Sequence, residues 1–470
     1  MAALFATIGP IADANGNTHL STLRPGGTPV SGGLFVLSGS LHDHSTDSDG
    51  DTSSHTVAAW EFEHRYELGI DFGSLTDHAD FMPFALRAPL GGNVWKKQAR
   101  IDAEYTRNGF SFLRGFEYTS DQENHMNVIG SDDYLPGRRA GDLTMAALWK
   151  WLPARETGIA QFNHPSGKGA LQWDNLAFVP SVAEEVATIE IPGDQDFSAD
   201  HVRHSDAGWY WLALARGWTV GPVMNWDEHR WKMLMNQPDI GDHCGDIPRT
   251  LPCQRTLVLA TENTPRAIMT ALHARRTSAT EHPSLWATLR GPNGVWQGST
   301  VRDVADGFPI DLTVEAGSSI WPLTRIDIVS DNGVDPHAYY DGDNLICDSH
   351  ADKAPCHAEE DGDEDEGPVT PSFIEQHRRF VASGGHAVRK DQIDSPPPQT
   401  TVASMPISGH HALATIRVTI PRAASTRPDG KHFFYAIVWA GDVRAWTSPI
   451  FTDAQSRLAN GAQSQAEARP

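Results

Sequence analysis

From about residue 34 to 240, short apolar runs alternate with helix-like stretches. The first run, Leu34-Phe35-Val36-Leu37, reads as a buried strand. The pattern then predicts a helix over Ser54–Leu68, with Ala58, Phe62 and Tyr66 on one face. Strand-like segments follow in order: "GIDFGSLTDH", "FSFLRGFEYT", "HMNVIG", "GIAQFNHP", "ATIEIPG" and "TVGPVMNWDEH". A further helix is predicted over Thr264–Arg276, where Thr264 suits the N-cap, Pro265 the first turn, and Ile268 and Leu272 share a face. Strands alternating with helices predict a parallel α/β architecture, a barrel with ligand-capable residues at the C-terminal ends of most strands.

After about residue 283 the period changes. "IDLTVE" (310–315) alternates, and so does "ATIRVTI" (414–420), with Ala414, Ile416, Val418 and Ile420 on one face. "FFYAIVW" (433–439) reads as a buried strand. Strands without intervening helices predict a β-sandwich-like domain over 283–455. The remaining organisation is an N-terminal arm over 1–33, a long polar insertion at about 340–400 and a flexible tail over 456–470. Within the insertion, 359–366 holds seven acids and one glycine, a solvated loop without the ligand spacing of an EF-hand.

Composition narrows the class. The chain has 470 residues, enough for two domains, and 39% of them are hydrophobic. The sequence shows no apolar stretch long enough for a membrane span, and its first residues lack the basic start of a signal peptide. Net charge is -23, which repels phosphate backbones and argues against nucleic acid as a partner. A small-molecule substrate is expected instead. The four cysteines form two pairs of equal spacing, Cys244 with Cys253 and Cys347 with Cys356. These are read as loop-closing disulfides of a periplasmic or secreted protein, with a cytoplasmic protein carrying free thiols as the alternative.

The candidate chemistry sits at the strand tips. "SGSLHDHSTDSDGD" offers His42, His44 and Asp49; the next tip is Thr76-Asp77-His78. Glu117 lies in "GFEYTS", His125 opens "HMNVIG", His164 stands in "FNHPSG", and Asp227 and His229 close "NWDEH". Six histidines and three carboxylates in this order suit zinc, manganese or iron(II), and nine ligands can hold three ions. Asp77, beside His78, is a candidate for orienting a ligand through a hydrogen bond. Lys168, Arg203 and Arg230 lie near strand-end loops and are candidates for holding an anionic substrate.

The succession "LHDHSTDSDGD", "GIDFGSLTDHAD", "GFEYTS", "HMNVIG", "FNHP" and "NWDEH" resembles the polymerase-and-histidinol-phosphatase (PHP) superfamily of metallohydrolases. "HMNVIG", "RTLVLATENTPRAIMTALHARRTSAT" and "AWTSPIF" resemble its CehA/McbA-type, carbaryl-hydrolase-like branch. The resemblance covers roughly residues 34–282. It implies a distorted (β/α)7 barrel with a trinuclear metal centre, zinc first and manganese or iron as alternatives. The implied ligands are His42, His44, Asp49, His78, Glu117, His125, His164, Asp227 and His229. The catalytic set is Asp77, Glu117 and Asp227. Where the family more often has a Gly-Ser-Asp-x-His turn, this chain has "NWDEH". The implied activity is hydrolysis of a small phosphate mono- or diester by a metal-activated hydroxide. A carbamate, ester or amide hydrolase using the same centre is the alternative, and a binding module stabilised by structural metal is the third class. No GxSxG or comparable nucleophile motif is present.

Overall fold

The computed structural model describes residues 27–81, 94–120, 124–136, 144–155, 157–165, 173–191, 207–236, 253–331, 400–422, 425 and 427–454. Lys168, Arg203, Cys244, Cys347, Cys356 and the acidic insertion lie outside them. Cys253, the one cysteine among the described residues, is disulfide-bonded.

The chain opens with β1 (Thr28–Pro29), which pairs antiparallel with β2 (Phe35–Gly39), so the end of the leading arm joins the sheet. Helix α1 (Ser54–Leu68) has the predicted bounds. Ser53 caps it by accepting from the Thr56 amide, and Gly69 ends it at φ +64°, a left-handed conformation that glycine adopts without strain. The buried face is Val57, Ala58, Trp60, Glu61 and Leu68, and Tyr66 is 53% exposed. The predicted face is thereby corrected: each four-residue step overshoots a helical turn by about 40°, so the stripe drifts off the core by its third member.

Next come β3 (Phe72–Leu75), α2 (Val94–Tyr105), β4 (Ser111–Ser120), β5 (Asn124–Ile129), α3 (Met145–Trp151), β6 (Ile159–Phe162), α4 (Trp173–Leu176), β7 (Val186–Glu190), α5 (Ala207–Arg216), β8 (Gly221–Val223), α6 (Trp231–Met235), β9 (Arg255–Ala260), α7 (Pro265–His273) and β10 (Thr277–Thr280). Strands β2, β3 and β4 run parallel, as do β6, β7 and β8. Strand β5 runs antiparallel to both β4 and β6, which corrects the all-parallel expectation. Only residues 121–123 separate β4 from β5, too few for the crossover a parallel pair needs. The two strands are therefore a hairpin.

Strands β2 and β3 meet at a single pair, Gly39 with Phe72. A Cβ on Gly39 would lie 2.2 Å from the Phe72 carbonyl oxygen, so this crossing requires glycine. Strand β9 pairs antiparallel with β2 and comes against β8, where the Thr256 hydroxyl donates to the Met224 carbonyl (3.0 Å) and accepts from its amide (3.1 Å). The sheet curls so far that an isolated parallel bridge joins Asp43, past β2, to Glu228, past β8. That bridge closes the rim.

The later strands are β11 (Leu285–Arg290), β12 (Thr300–Val304), β13 (Pro309–Ser318), β14 (Leu323–Ser330), β15 (Thr400–Pro406), β16 (His411–Thr419), β17 (His432–Ala440), β18 (Val443–Thr447) and β19 (Ile450–Ala454). Strands β11, β13 and β16 form a separate three-stranded sheet. Its inward residues Ile310, Leu312, Val314, Ile416 and Val418 pack against Ile326 and Ile328 of β14 and Phe434, Ala436 and Val438 of β17. The alternation read in 310–315 and 414–420 is this buried face. The other layer is continuous with the first region, because β18 pairs with β10. The whole is a mixed α/β structure with one large central sheet and few helices. Among the described residues, no helix is long and apolar enough to cross a membrane.

Candidate metal centre

The nine residues named as ligands converge on the closed rim. In the segment past β2, alternation turns His42 and His44 to one side, and Asp43 faces the other. Asp49 stands in a tight turn in which the Ser48 and Gly50 amides both donate to the Ser45 carbonyl. His78 follows β3 and bridges to Glu117 of β4. His125 opens β5. It is at the N-terminal end of its strand, contrary to the general placement expected, and the reversed direction of β5 brings it to the same rim. His164 follows β6 with φ +29°, and Asp227 follows β8 with φ +52°. Both are left-handed conformations that cost a non-glycine residue free energy and are found where surrounding contacts over-determine them.

Glu117 is the hub. Its Oε1 lies 3.2 Å from His42 Nε2, 3.2 Å from His125 Nδ1 and 3.4 Å from His164 Nε2. Its Oε2 lies 3.1 Å from His78 Nδ1 and 3.4 Å from His44 Nε2. Asp227 Oδ1 is 2.9 Å from His44 Nε2 and 3.2 Å from His42 Nε2. Asp49 Oδ2 reaches His229 Nε2 at 3.2 Å and His78 Nε2 at 3.5 Å. The His44 and His229 rings stack at 4.0 Å. His42, His44 and Glu117 are almost fully buried, and Asp49 opens to solvent.

Three overlapping groups have ligand atoms within 4.8 Å of one another: His44, Asp49, His78 and His229; His42, His44 and Glu117; His78, Glu117 and His125. The donor set fits divalent transition ions. The His42 and His44 Nε2 atoms face each other at 3.2 Å, an approach that a cation or a proton between them must relieve.

Electrostatics show how strongly the cluster seeks positive charge. Burial is the largest influence on His78 and opposes its protonation, but Glu117 and Asp49 outweigh it and raise the pKa to about 9. For His229, burial is likewise overcome by Asp49 and Asp227, which raise it to about 10. Burial, reinforced by the charges of His229 and His78, pushes His44 down to about 3. Burial also works against the Glu117 and Asp227 carboxylates, yet surrounding imidazoles hold both well below the ordinary range. A metal ion must therefore displace protons from His78 and His229 below about pH 9 and 10 respectively. Apparent zinc affinity is expected to rise between pH 6 and 9, with protons released on uptake. Chelator competition at several pH values checks this; an affinity flat across that range contradicts it.

Asp77 has a different neighbourhood from the one expected. Its buried carboxylate accepts from the Ser45 amide (2.7 Å), the Ser48 hydroxyl (2.8 Å) and Gln98 Nε2 (2.9 Å). It anchors the loop carrying Asp49. His78 Nδ1 instead meets the Thr119 hydroxyl and Glu117. Arg230 is exposed just past His229, where its amide donates to Glu228. Trp226, the departure in "NWDEH", is buried, donating to the Gln254 carbonyl with its ring under Arg255.

Sequence reading missed a layer beneath the ligands. Asn127, Gln161, Asn163, Glu190 and Asn225 are buried there and mutually hydrogen-bonded. The signal was present as alternation. Asn127 stands two residues from His125, and Gln161 two from Asn163, a spacing that places polar side chains on the inner face of an otherwise apolar strand.

No family model matches the chain, and no curated protein does. Among solved structures it is similar to a two-domain protein from Bacteroides vulgatus containing a predicted PHP-like metal-dependent phosphoesterase, at 18% identity and a TM-score of 0.40, over 65% of this chain and 82% of that one. It is also similar to PsfC from Pseudomonas syringae, at 12% identity and a TM-score of 0.30, over 47% of this chain and 82% of that one. Both likenesses are loose, and the chemistry of the cluster rests on its own geometry.

Proposed function

We propose that this chain is a metal-dependent hydrolase of the PHP type, acting on a small phosphate mono- or diester. The observation that carries the reading is Glu117, a buried carboxylate within 3.4 Å of five imidazoles, with Asp49 and Asp227 completing the donor groups on either side. His44, Asp49, His78 and His229 would hold one ion. His42, His44 and Glu117, with Asp227, would hold a second; His78, Glu117 and His125, with His164, a third. Divalent ions held there supply Lewis acidity toward a phosphoryl or carbonyl oxygen and acidify water. Glu117 and Asp227 lie among the reacting groups, whereas Asp77 positions the loop that carries Asp49. Arg230, exposed just past His229, is a cation available to an anionic substrate; Lys168 and Arg203, expected in the same role, lie outside the described residues. The bonded Cys253 favours an oxidising compartment.

Ions held by the same ligands would equally activate water toward a carbamate or ester carbonyl, so the test compares both chemistries. Bis-nitrophenyl phosphate, nitrophenyl phosphate, nitrophenyl acetate and a naphthyl carbamate are assayed side by side with zinc or manganese, and the metal content of the same preparation is measured. Turnover of a phosphate ester with close to three ions per chain is the expected result. Turnover of the carbonyl substrates alone overturns the phosphoesterase assignment in favour of the carbamate or ester hydrolase. A folded, undialysed sample with only trace metal overturns both.

A further inference from the structure

We infer that Glu190 is a positioning residue that sets which nitrogen of His42 faces the metal centre, and that it is not itself a ligand. The inference rests on the reading of the rim as a metal centre. Glu190 ends β7 and is 4% exposed. Its Oε1 accepts from His42 Nδ1 (3.0 Å), Asn225 Nδ2 (2.7 Å) and Gln161 Nε2 (3.1 Å). Its Oε2 accepts from the His164 amide (2.6 Å). A carboxylate has about four acceptor sites, and four donors already engage this one. Three of the four crowd Oε1 beyond its two lone pairs, so the oxygen that faces His42 has none left for an ion, and Glu190 belongs to none of the three groups of converging ligand atoms.

The donors cannot turn round. The Leu41 amide donates to Asn225 Oδ1 (2.8 Å), which obliges the Asn225 amino group to face Glu190. The Asn127 amide donates to Asn163 Oδ1 (3.2 Å), which sends the Asn163 amino group to Glu117 Oε1 (2.7 Å). Backbone N–H groups have no alternative role, so both side-chain amides have one orientation. Since Glu190 can only accept, His42 must carry its proton on Nδ1. The Nε2 lone pair then points to the space shared with Glu117, Asp227 and His44. The same carboxylate holds the His164 backbone at its positive φ. Two ligands on different strands thus take their orientation from one buried group.

Glu190→Gln is nearly isosteric but wrong in polarity. Its amino group must face either the His164 amide or the three donors at the other oxygen, and of these only His42 Nδ1 can accept instead, by moving its proton to Nε2 and so withdrawing the lone pair from the centre. Wild type and Glu190→Gln are stripped with chelator and titrated with zinc against a chromophoric chelator, and the visible absorption of the cobalt-loaded forms is compared. The expected result is about 10- to 100-fold weaker uptake with an altered cobalt spectrum, while the metal-free variant keeps the wild-type circular dichroism. Affinity within about threefold of wild type and an unchanged spectrum overturn the inference and leave the metal centre standing. A wild type that takes up no metal overturns both. Should the variant fail to fold, a crystal structure of the metal-loaded wild type decides the same point: His42 Nε2 on the ion with Nδ1 on Glu190 supports the assignment, and Glu190 on the ion refutes it.

Discussion

Glu117→Gln is expected to lower turnover by at least about a thousandfold, about 4 kcal/mol of transition-state stabilisation, and to cost the protein bound metal. Both Glu117 oxygens face imidazoles, and Oε1 also accepts from Asn163 Nδ2 at 2.7 Å. Glutamine keeps one acceptor. Because the Asn163 amino group is held toward Oε1, the glutamine oxygen settles there and its own amino group turns toward His44 and His78. Two of the three donor groups contain Glu117, so both lose a ligand charge. Elemental analysis and steady-state assay on the folded variant check this. Activity within about tenfold of wild type, a barrier change of only about 1.4 kcal/mol, would place the reaction elsewhere.

Trp211→Ala is expected to destabilise the protein by about 3–5 kcal/mol. Trp211 lies on α5 and is fully buried. Its Nε1 donates to the Ser330 carbonyl at the end of β14, and its ring sits 6.4 Å from that of Phe433 on β17. Truncation opens a cavity where the first region meets the later strands and removes a hydrogen bond that crosses between them. Tyr66→Ala is the contrast. Tyr66 is 53% exposed, and its loss should cost less than about 1 kcal/mol. Urea unfolding of both variants measures the difference. Similar losses in the two would mean that burial of α5 does not anchor the junction.

Much of the site was legible because donor residues cluster at the ends of apolar runs. A run of four to six apolar residues must be buried, and a strand's end is where its chain next meets solvent. Hence His42, His44, His78, Glu117, His164, Asp227 and His229 could be placed at one rim without knowing any contact. The later strands were legible for a related reason. Alternation at 310–315 and 414–420 assigns each side chain to one of two faces, and only one face is apolar.

Partnership, direction and polarity of hydrogen bonds belong to the tertiary structure alone. Periodicity gives β5 as a strand but not its sense; the short connection after β4 reverses it, and that reversal carries His125 to the rim from the opposite end. Asp77 looked like a partner for its neighbour His78, yet the fold offers it Ser45, Ser48 and Gln98 from other segments. Glu190 was one acid in an apolar run until four donors from β2, β6 and β8 and their adjoining segments closed round it. The sequence determines which residues are able to donate or accept. Which donor meets which acceptor depends on the curl of the sheet, because the partners lie between 21 and 148 positions apart in the chain and approach only when the rim closes.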